Sequence, residues 1–429
     1  MMQITRNKYL HDLVIHEGNG MVKVITGIRR CGKTYLLFEL FVHHLIESGV
    51  PQDHIITLAL DDEANRSFRD PKALYAHLLQ LIQDDNTYYV LLDEAQYAIS
   101  ARELRSKDEP PALYSVLNGL LHHRNVDVYI TGSNSKLLST DVMTEFRGRG
   151  DEIRIHPLTF SEFMQAFDGD RYEGWAEYVM YGGLPLTLSM HDDEQKATYL
   201  THLINEVYLT DVVERNRLHK SEELDSLVNV LASSVGSLTN PSRIEATFKS
   251  VLHSTMSADT INRYIDCLKE AFLINEATRY DIKGRHYIGS PKKYYFEDVG
   301  LRNARLGFRQ VEETHLMENI IYNELCARGF SVDVGQVEKR TKNQGNNERQ
   351  RLEVDFVANR GYRRYYVQSA LRLDTPEKTV QEKRPLLSID DSFKKIVVVK
   401  DVIRPYMDDD GILTMGLFDF LLDSDSLDR

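Results

Sequence analysis

The run Gly27-Ile28-Arg29-Arg30-Cys31-Gly32-Lys33-Thr34 holds the residue types that grip a polyphosphate. Its glycines let the backbone wrap until successive N–H groups converge on an anion. Lys33 would carry its ammonium to the outer phosphates, and the Thr34 hydroxyl would hold Mg2+. A helix running on through Tyr35 adds the positive end of its dipole. Downstream, Val90-Leu91-Leu92-Asp93-Glu94 is an apolar run ending in two carboxylates. Asp93 suits Mg2+, directly or through water, and Glu94 suits the orienting or deprotonation of an attacking water. Alone, the pair reads as a solvated strand end; its place downstream of the phosphate loop favours chemistry. In Tyr129-Ile130-Thr131-Gly132-Ser133-Asn134, Ser133 and Asn134 are candidates for the γ phosphate or the lytic water, although a plain Gly-Ser-Asn turn explains them equally well. Arg147 and Arg149 are candidates for transition-state charge, in cis or from a neighbouring subunit, so a homo-oligomer stays open; a surface arginine pair is the alternative.

These residues need a frame. Val22–Thr26, His54–Leu60, Tyr88–Leu92 and Asp127–Thr131 read as buried strands separated by helical spacing, such as Leu74, Leu78, Leu79 and Ile82. That alternation predicts a parallel sheet covered on both faces, with the chemistry at its strand ends. After Pro157 the pattern is helical to about Leu238. From Thr314 a second alternation begins, with a helix over Leu316–Arg328, strands over Ser331–Val337, Leu352–Ala358 and Tyr365–Leu371, a helix over Pro376–Ile389 and a strand over Lys395–Val399. The polar run Lys339–Gln350 reads as a flexible hairpin loop.

The chain has 429 residues, enough for two or three domains. Its three cysteines, Cys31, Cys267 and Cys326, are far apart and form no zinc or disulfide pattern. No leader or spanning segment is evident, so a soluble, cytoplasmic protein without a membrane partner is expected. The formal charge of −13 argues against a wholly basic surface, but leaves room for a local basic patch.

In order, GIRRCGKT, LLDEAQ, TGSNSKLLS, FRGR, IHPLTFSEF and YGGLP resemble a group of prokaryotic AAA-type ATPases classed with the signal-transduction (STAND) ATPases. YYFEDVGLRNA, EVDFVA and YYVQSA extend the resemblance into a C-terminal part of unknown function. The resemblance implies ATP and Mg2+ as ligands and ATP hydrolysis as the activity, with a slow nucleotide-dependent switch as the alternative. It also places Pro185, in Gly182-Gly183-Leu184-Pro185, against the adenine; read from the residues alone, Pro185 marks a turn between helices. Arg29 and Arg30 are a habit of the family, either touching phosphate or anchoring the loop.

Asn240-Pro241 opens a helix, a second starts at Ser257, and strands Leu273–Ala277 and Lys293–Phe296 complete a winged-helix pattern with Arg279, Lys283, Arg285, Lys292 and Lys293 nearby. The last part resembles the PD-(D/E)xK nuclease core. Asp355 fits its first metal position and Glu318 an added one, but Gln368 and Ala370 stand where Glu and Lys belong; Lys378 is a substitute for the lysine. A retired nuclease fold used for docking is therefore expected. The fold class is α/β: a P-loop NTPase parallel sheet with helical lid over 1–205, a winged-helix-like domain over 206–308 and an α/β restriction-endonuclease-like domain over 309–429. DNA or a protein is the expected partner of the last two.

Overall fold

The computed structural model describes residues 4–100, 102–103, 110–133, 150–216, 222–251, 253–343 and 346–429. Contacts divide the chain into two compact units, Gln3–Pro157 with Glu270–Phe272, and Leu158–Lys269 with Leu273–Arg429.

In the first unit, β1 (Val22–Thr26), β2 (Ile55–Ala59), β3 (Tyr88–Asp93), β4 (Val126–Gly132) and β5 (Gly150–Arg154) form one sheet in the order β2-β3-β4-β1-β5. Every pairing in it is parallel. Val24, Val90, Leu92, Val128 and Ile130 are buried in its core. The only charge inside β1, Lys23, is matched by Asp127 on β4, and Tyr129 Oη donates to the same carboxylate at 3.0 Å. A buried ammonium is tolerable because it is paired and hydrogen-bonded. After the phosphate loop the chain winds as a π-helix over Tyr35–Phe41 and then as an α-helix over Val42–Glu47.

The second unit holds an eight-stranded sheet of order β12-β13-β11-β10-β9-β8-β6-β7. Its strands are β6 (Ile274–Asp281), β7 (His286–Phe296), β8 (Ser331–Asn343), β9 (Asn346–Arg360), β10 (Arg363–Ala370), β11 (Lys394–Val399), β12 (Tyr406–Met407) and β13 (Ile412–Gly416).

Three expectations change here. The segment Lys339–Gln350 is not a loop: β8 and β9 stay paired out to Asn343↔Asn346. The proposed wing strands β6 and β7 do pair with each other, but β6 also pairs in parallel with β8, so the hairpin is part of the C-terminal sheet and does not stand as a separate wing. The helices expected to lie with the first domain up to 205 pack instead in the second unit. Trp175 Nε1 donates to Glu313 at 2.9 Å, and Asn303 Nδ2 donates to the Val179 and Met180 carbonyls at 2.8 and 3.0 Å. Long-range pairing decides these boundaries, and composition along the chain does not carry it.

Candidate functional site

The phosphate loop leaves β1 at its carboxyl end, and β3 ends beside it, with β4 between them. Ligands of open parallel sheets bind at such carboxyl ends. Gly27 has φ +144°, and a Cβ there would lie 2.2 Å from the Ile155 carbonyl oxygen, so no other residue fits. Gly32 (φ +100°) and Arg30 (φ +63°) also take left-handed backbone. Ile28 is buried, as is Cys31, whose Sγ faces the Ile155 carbonyl at 3.7 Å, so both anchor the loop from below.

Lys33 is only 4% exposed, and its Nζ donates to the carbonyls of Gly27 and Ile28, both at 3.1 Å. The ammonium thus lies folded over the loop it serves. Thr34 Oγ1 donates to Asp93 Oδ2 at 2.7 Å. Asp93 also accepts from the Thr131 hydroxyl, and Thr131 Oγ1 accepts from the Glu94 amide at 3.0 Å. Burial pushes the Asp93 carboxyl above the usual range against the two hydroxyl donors, with Glu94 and Asp61 adding to the rise. Glu94 has φ +50°, a strained conformation for a non-glycine residue, and its carboxylate is held by the Gln96 amide. Arg29 Nε lies 3.4 Å from Ser133 Oγ, which brings the loop to the tip of β4. Tyr35 is 37% exposed on the outer side of the first helical turn.

Asn134, Arg147 and Arg149 lie outside the described residues. Pro185 opens a 3-10 turn, Pro185–Ser189, in the second unit. There Gly182 (φ +76°) and Gly183 make room for close contacts: a Cβ on Gly182 would be 2.2 Å from Asp298 Oδ1, and one on Gly183 would be 2.2 Å from the Leu158 carbonyl oxygen. Asp298 Oδ2 accepts from the Gly183 amide at 2.7 Å, and Oδ1 accepts from Leu301 at 3.0 Å as the cap of helix Val299–Arg305. The two motifs YGGLP and EDVG are thus one structural joint.

Sequence reasoning missed two residues of the phosphate site. Thr131 sits at the end of an apolar strand, with no marker beyond its place on β4. Arg6 is 3% exposed; its guanidinium donates to the Cys31 carbonyl at 3.0 Å and to the His156 carbonyl at 2.7 Å, pinning the loop from the N-terminal side.

Residues 19–164 match the family described as the AAA domain, and residues 172–312 match a domain of unknown function (DUF8612). An uncharacterized protein of Haemophilus influenzae is 33% identical over 429 residues, 98% of both chains. The chain belongs to that protein's family, one of AAA-type P-loop proteins. An uncharacterized protein of Methanocaldococcus jannaschii is 26% identical over 352 residues, 78% of this chain and 71% of the other. Among solved structures, Aeropyrum pernix ORC1 in complex with DNA matches 71% of this chain and 92% of its own, at 14% identity and a TM-score of 0.28. PCH-2 of C. elegans matches 61% of this chain and 66% of its own, at 15% identity and a TM-score of 0.28.

The nuclease-like positions of this AAA-type protein tell a different story. The element order, helix Glu313–Ala327, β8, β9, β10, helix Pro376–Leu387 and β11, is the one expected. Asp355 on β9 accepts from the Ser369 amide at 2.8 Å. Burial raises its carboxyl far above the usual range, Glu318 adds to that, and Lys293 opposes it. Lys293, from β7, is 4% exposed and places its Nζ 2.9 Å from Glu318 and 2.7 Å from Glu353. Tyr295 Oη donates to the same Glu318 oxygen at 2.7 Å. Lys378 turns away to Glu382 on its own helix, at 2.5 Å. Among the described residues, no group of three His, Cys, Asp or Glu side chains could hold a metal ion. The cluster does not fit a divalent ion, because the chain's own ammonium already serves its carboxylates.

No helix among the described residues is long and apolar enough to cross a membrane.

Proposed function

We propose that this AAA-type protein binds ATP with Mg2+ at Gly27–Thr34 and hydrolyses it to ADP and phosphate, and that the nucleotide state governs a DNA- or protein-binding C-terminal part. The observation that carries this reading is the 2.7 Å bond from Thr34 to Asp93, directly beside the buried Lys33. A hydroxyl and a carboxylate in contact are the hard-oxygen pair that suits Mg2+, which takes few protein ligands and completes its shell with phosphate and water. Bound there, Mg2+ would neutralise triphosphate charge. Loop amides and Lys33 would hold the β and γ phosphates once the ammonium leaves the Gly27 and Ile28 carbonyls. Ser133, Asn134, Arg147 and Arg149 are the proposed further contacts to the γ phosphate, and Pro185 the proposed contact to the base. Glu94 would take the proton of, or align, the attacking water.

A second reading, a slow nucleotide-gated switch, is favoured by one detail. The Glu94 carboxylate is engaged by the Gln96 amide, so it must be freed before it can serve water. Phosphate release by wild type, Lys33→Ala and Glu94→Gln, with and without EDTA, tests the first reading. A rate untouched by either substitution would sink it. A basal rate raised by Gln96→Ala would favour the switch.

A further inference from the structure

At the far end of the β6–β7 and β9–β10 hairpins lies a cavity of about 750 Å3. Lys283, Arg285, Arg363 and Arg364 supply its cations, and Tyr362 and Phe393 its rings. This is an unusual local balance in a chain of charge −13. Of the five basic residues around the hairpin, Lys292 pairs with Glu276 at 2.6 Å, Lys293 is buried against Glu318, and Arg279 binds Gln336. Only Lys283 and Arg285 line the cavity, both exposed. Arg285 forms no ion pair among the described residues, and Lys283 reaches only the Glu338 carbonyl at 3.3 Å.

The rings are presented, not buried. Tyr362 is 87% exposed at the turn between β9 and β10, and Phe393 is 40% exposed. The Arg363 guanidinium lies 5.9 Å from the Tyr362 ring centre, and an open aromatic face beside cations offers a flat ligand a stacking platform. Arg364 is rigidly aimed: its guanidinium lies 5.2 Å over Tyr280 and 5.4 Å over Phe393, and its Nε donates to Asn359 at 2.7 Å. Arg363 is paired with Asp428 at 2.9 Å, but both side chains are nearly half exposed, so water screens the pair and a phosphate can replace the carboxylate. Two acids, Asp390 and Asp391, also line the cavity. Asp391 is already engaged by Tyr366 Oη at 2.7 Å and by the Phe393 amide at 3.1 Å.

We propose that this cavity binds unpaired nucleotides of a nucleic-acid strand, with bases stacked on Tyr362 and Phe393 and phosphates held by Arg285, Arg363 and Lys283. An acidic peptide would satisfy the cations but leave the rings without a role. A duplex keeps its base faces inside the stack and could not reach them. The site is in the second unit and does not depend on the ATPase reading.

The test is fluorescence anisotropy on the full-length protein without ATP. The probes are a labelled oligothymidylate of about 20 nucleotides, the same strand annealed to its complement, and polyglutamate as competitor. The single strand is expected to bind, and to weaken as salt rises. Tyr362→Ala should weaken binding about ten-fold while Tyr362→Phe retains it, as stacking requires. Arg285→Glu combined with Arg363→Glu should weaken it at least as much and flatten the salt dependence. Lys33→Ala should bind as wild type does, which separates this site from the phosphate loop. All of the cavity positions altered are exposed, so unchanged melting curves are expected. Absence of binding, equal binding by Tyr362→Ala, preference for the duplex, or displacement by polyglutamate would overturn the proposal.

Discussion

Two sites in this molecule are built from the same parts and reach opposite states. Around Asp93, a lysine, a carboxylate and hydroxyls meet at strand ends, and around Asp355 a lysine, carboxylates and a tyrosine hydroxyl come together from β7, β9 and the helix Glu313–Ala327. At the first, Lys33 rests on two backbone carbonyls and Asp93 is held by the hydroxyls of Thr34 and Thr131. Those are neutral, exchangeable partners, and burial raises the Asp93 carboxyl against them. At the second, Lys293 already lies between Glu318 and Glu353, so the positive charge is part of the chain. If the Asp93 site takes Mg2+ as proposed, what separates it from the second is the identity of the partner facing the carboxylates, and their number matters less. The lysine that closes the second comes from β7, outside the nuclease-like core in which metal-binding residues were sought.

The sharpest way to break the comparison is to remove the chemistry of the first site alone. Glu94→Gln is expected to lower the rate of ATP turnover by about 10²–10⁴-fold while nucleotide binding persists, as loss of a general base does. Single-turnover phosphate release and nucleotide titration would check both halves. A Glu94→Gln protein that turns over like wild type would show that the strained carboxylate is not the group serving water. At the second site the expected effect is on folding. Lys293→Ala leaves buried carboxylates without their counter-charge and should cost about 3–5 kcal/mol in denaturant unfolding. A loss below about 1 kcal/mol would mean that water or another group neutralises the cluster, and the site would then resemble the first after all.

The comparison also explains what could be read from residues alone. The phosphate loop and the Asp93-Glu94 strand were legible because their spacing is local and their glycines answer a local need: Gly27 cannot carry a Cβ against Ile155. The four strands Val22–Thr26 to Val126–Gly132 were legible because each is a short, wholly or largely buried run. Thr131 and Arg6 were not, because each joins the site through the sheet order or through contacts well over a hundred residues away, such as Arg6 to His156. Lys293 was read as one of several basic residues near a wing, and only the β6–β8 pairing turns that hairpin into the edge of the second sheet. The polar run from Lys339 looked like a loop because it buries little, yet a two-stranded ladder needs only partnered backbone, which β8 and β9 provide for each other.

A third carboxylate separates the two cases more finely, with the smallest expected effect. Among the described residues, neither a cation nor a hydroxyl donor faces Asp298; backbone amides of Gly183, Leu301 and Gly300 do, and burial outweighs them, raising its carboxyl to about 6. The sign follows from proton binding. A carboxyl that holds its proton more tightly when folded makes the folded chain bind more protons than the unfolded one between the ordinary carboxylate range and about pH 6. Its contribution to stability is therefore greatest at the acid end of that window and declines as the pH rises through it. Asp298→Asn keeps an oxygen to cap helix Val299–Arg305 but cannot titrate, and it gives up the acceptor for Gly183 at a cost of about 1 kcal/mol. The stability of wild type relative to Asp298→Asn should thus grow when the pH is lowered from about 7 to about 5. Unfolding curves of both proteins at the two pH values measure it, and background titration of other groups cancels in the difference. If the gap narrows instead, the amides outweigh burial and Asp298 is an ionised cap at neutral pH, held by N–H donors where Asp355 keeps a raised carboxyl even beside Lys293.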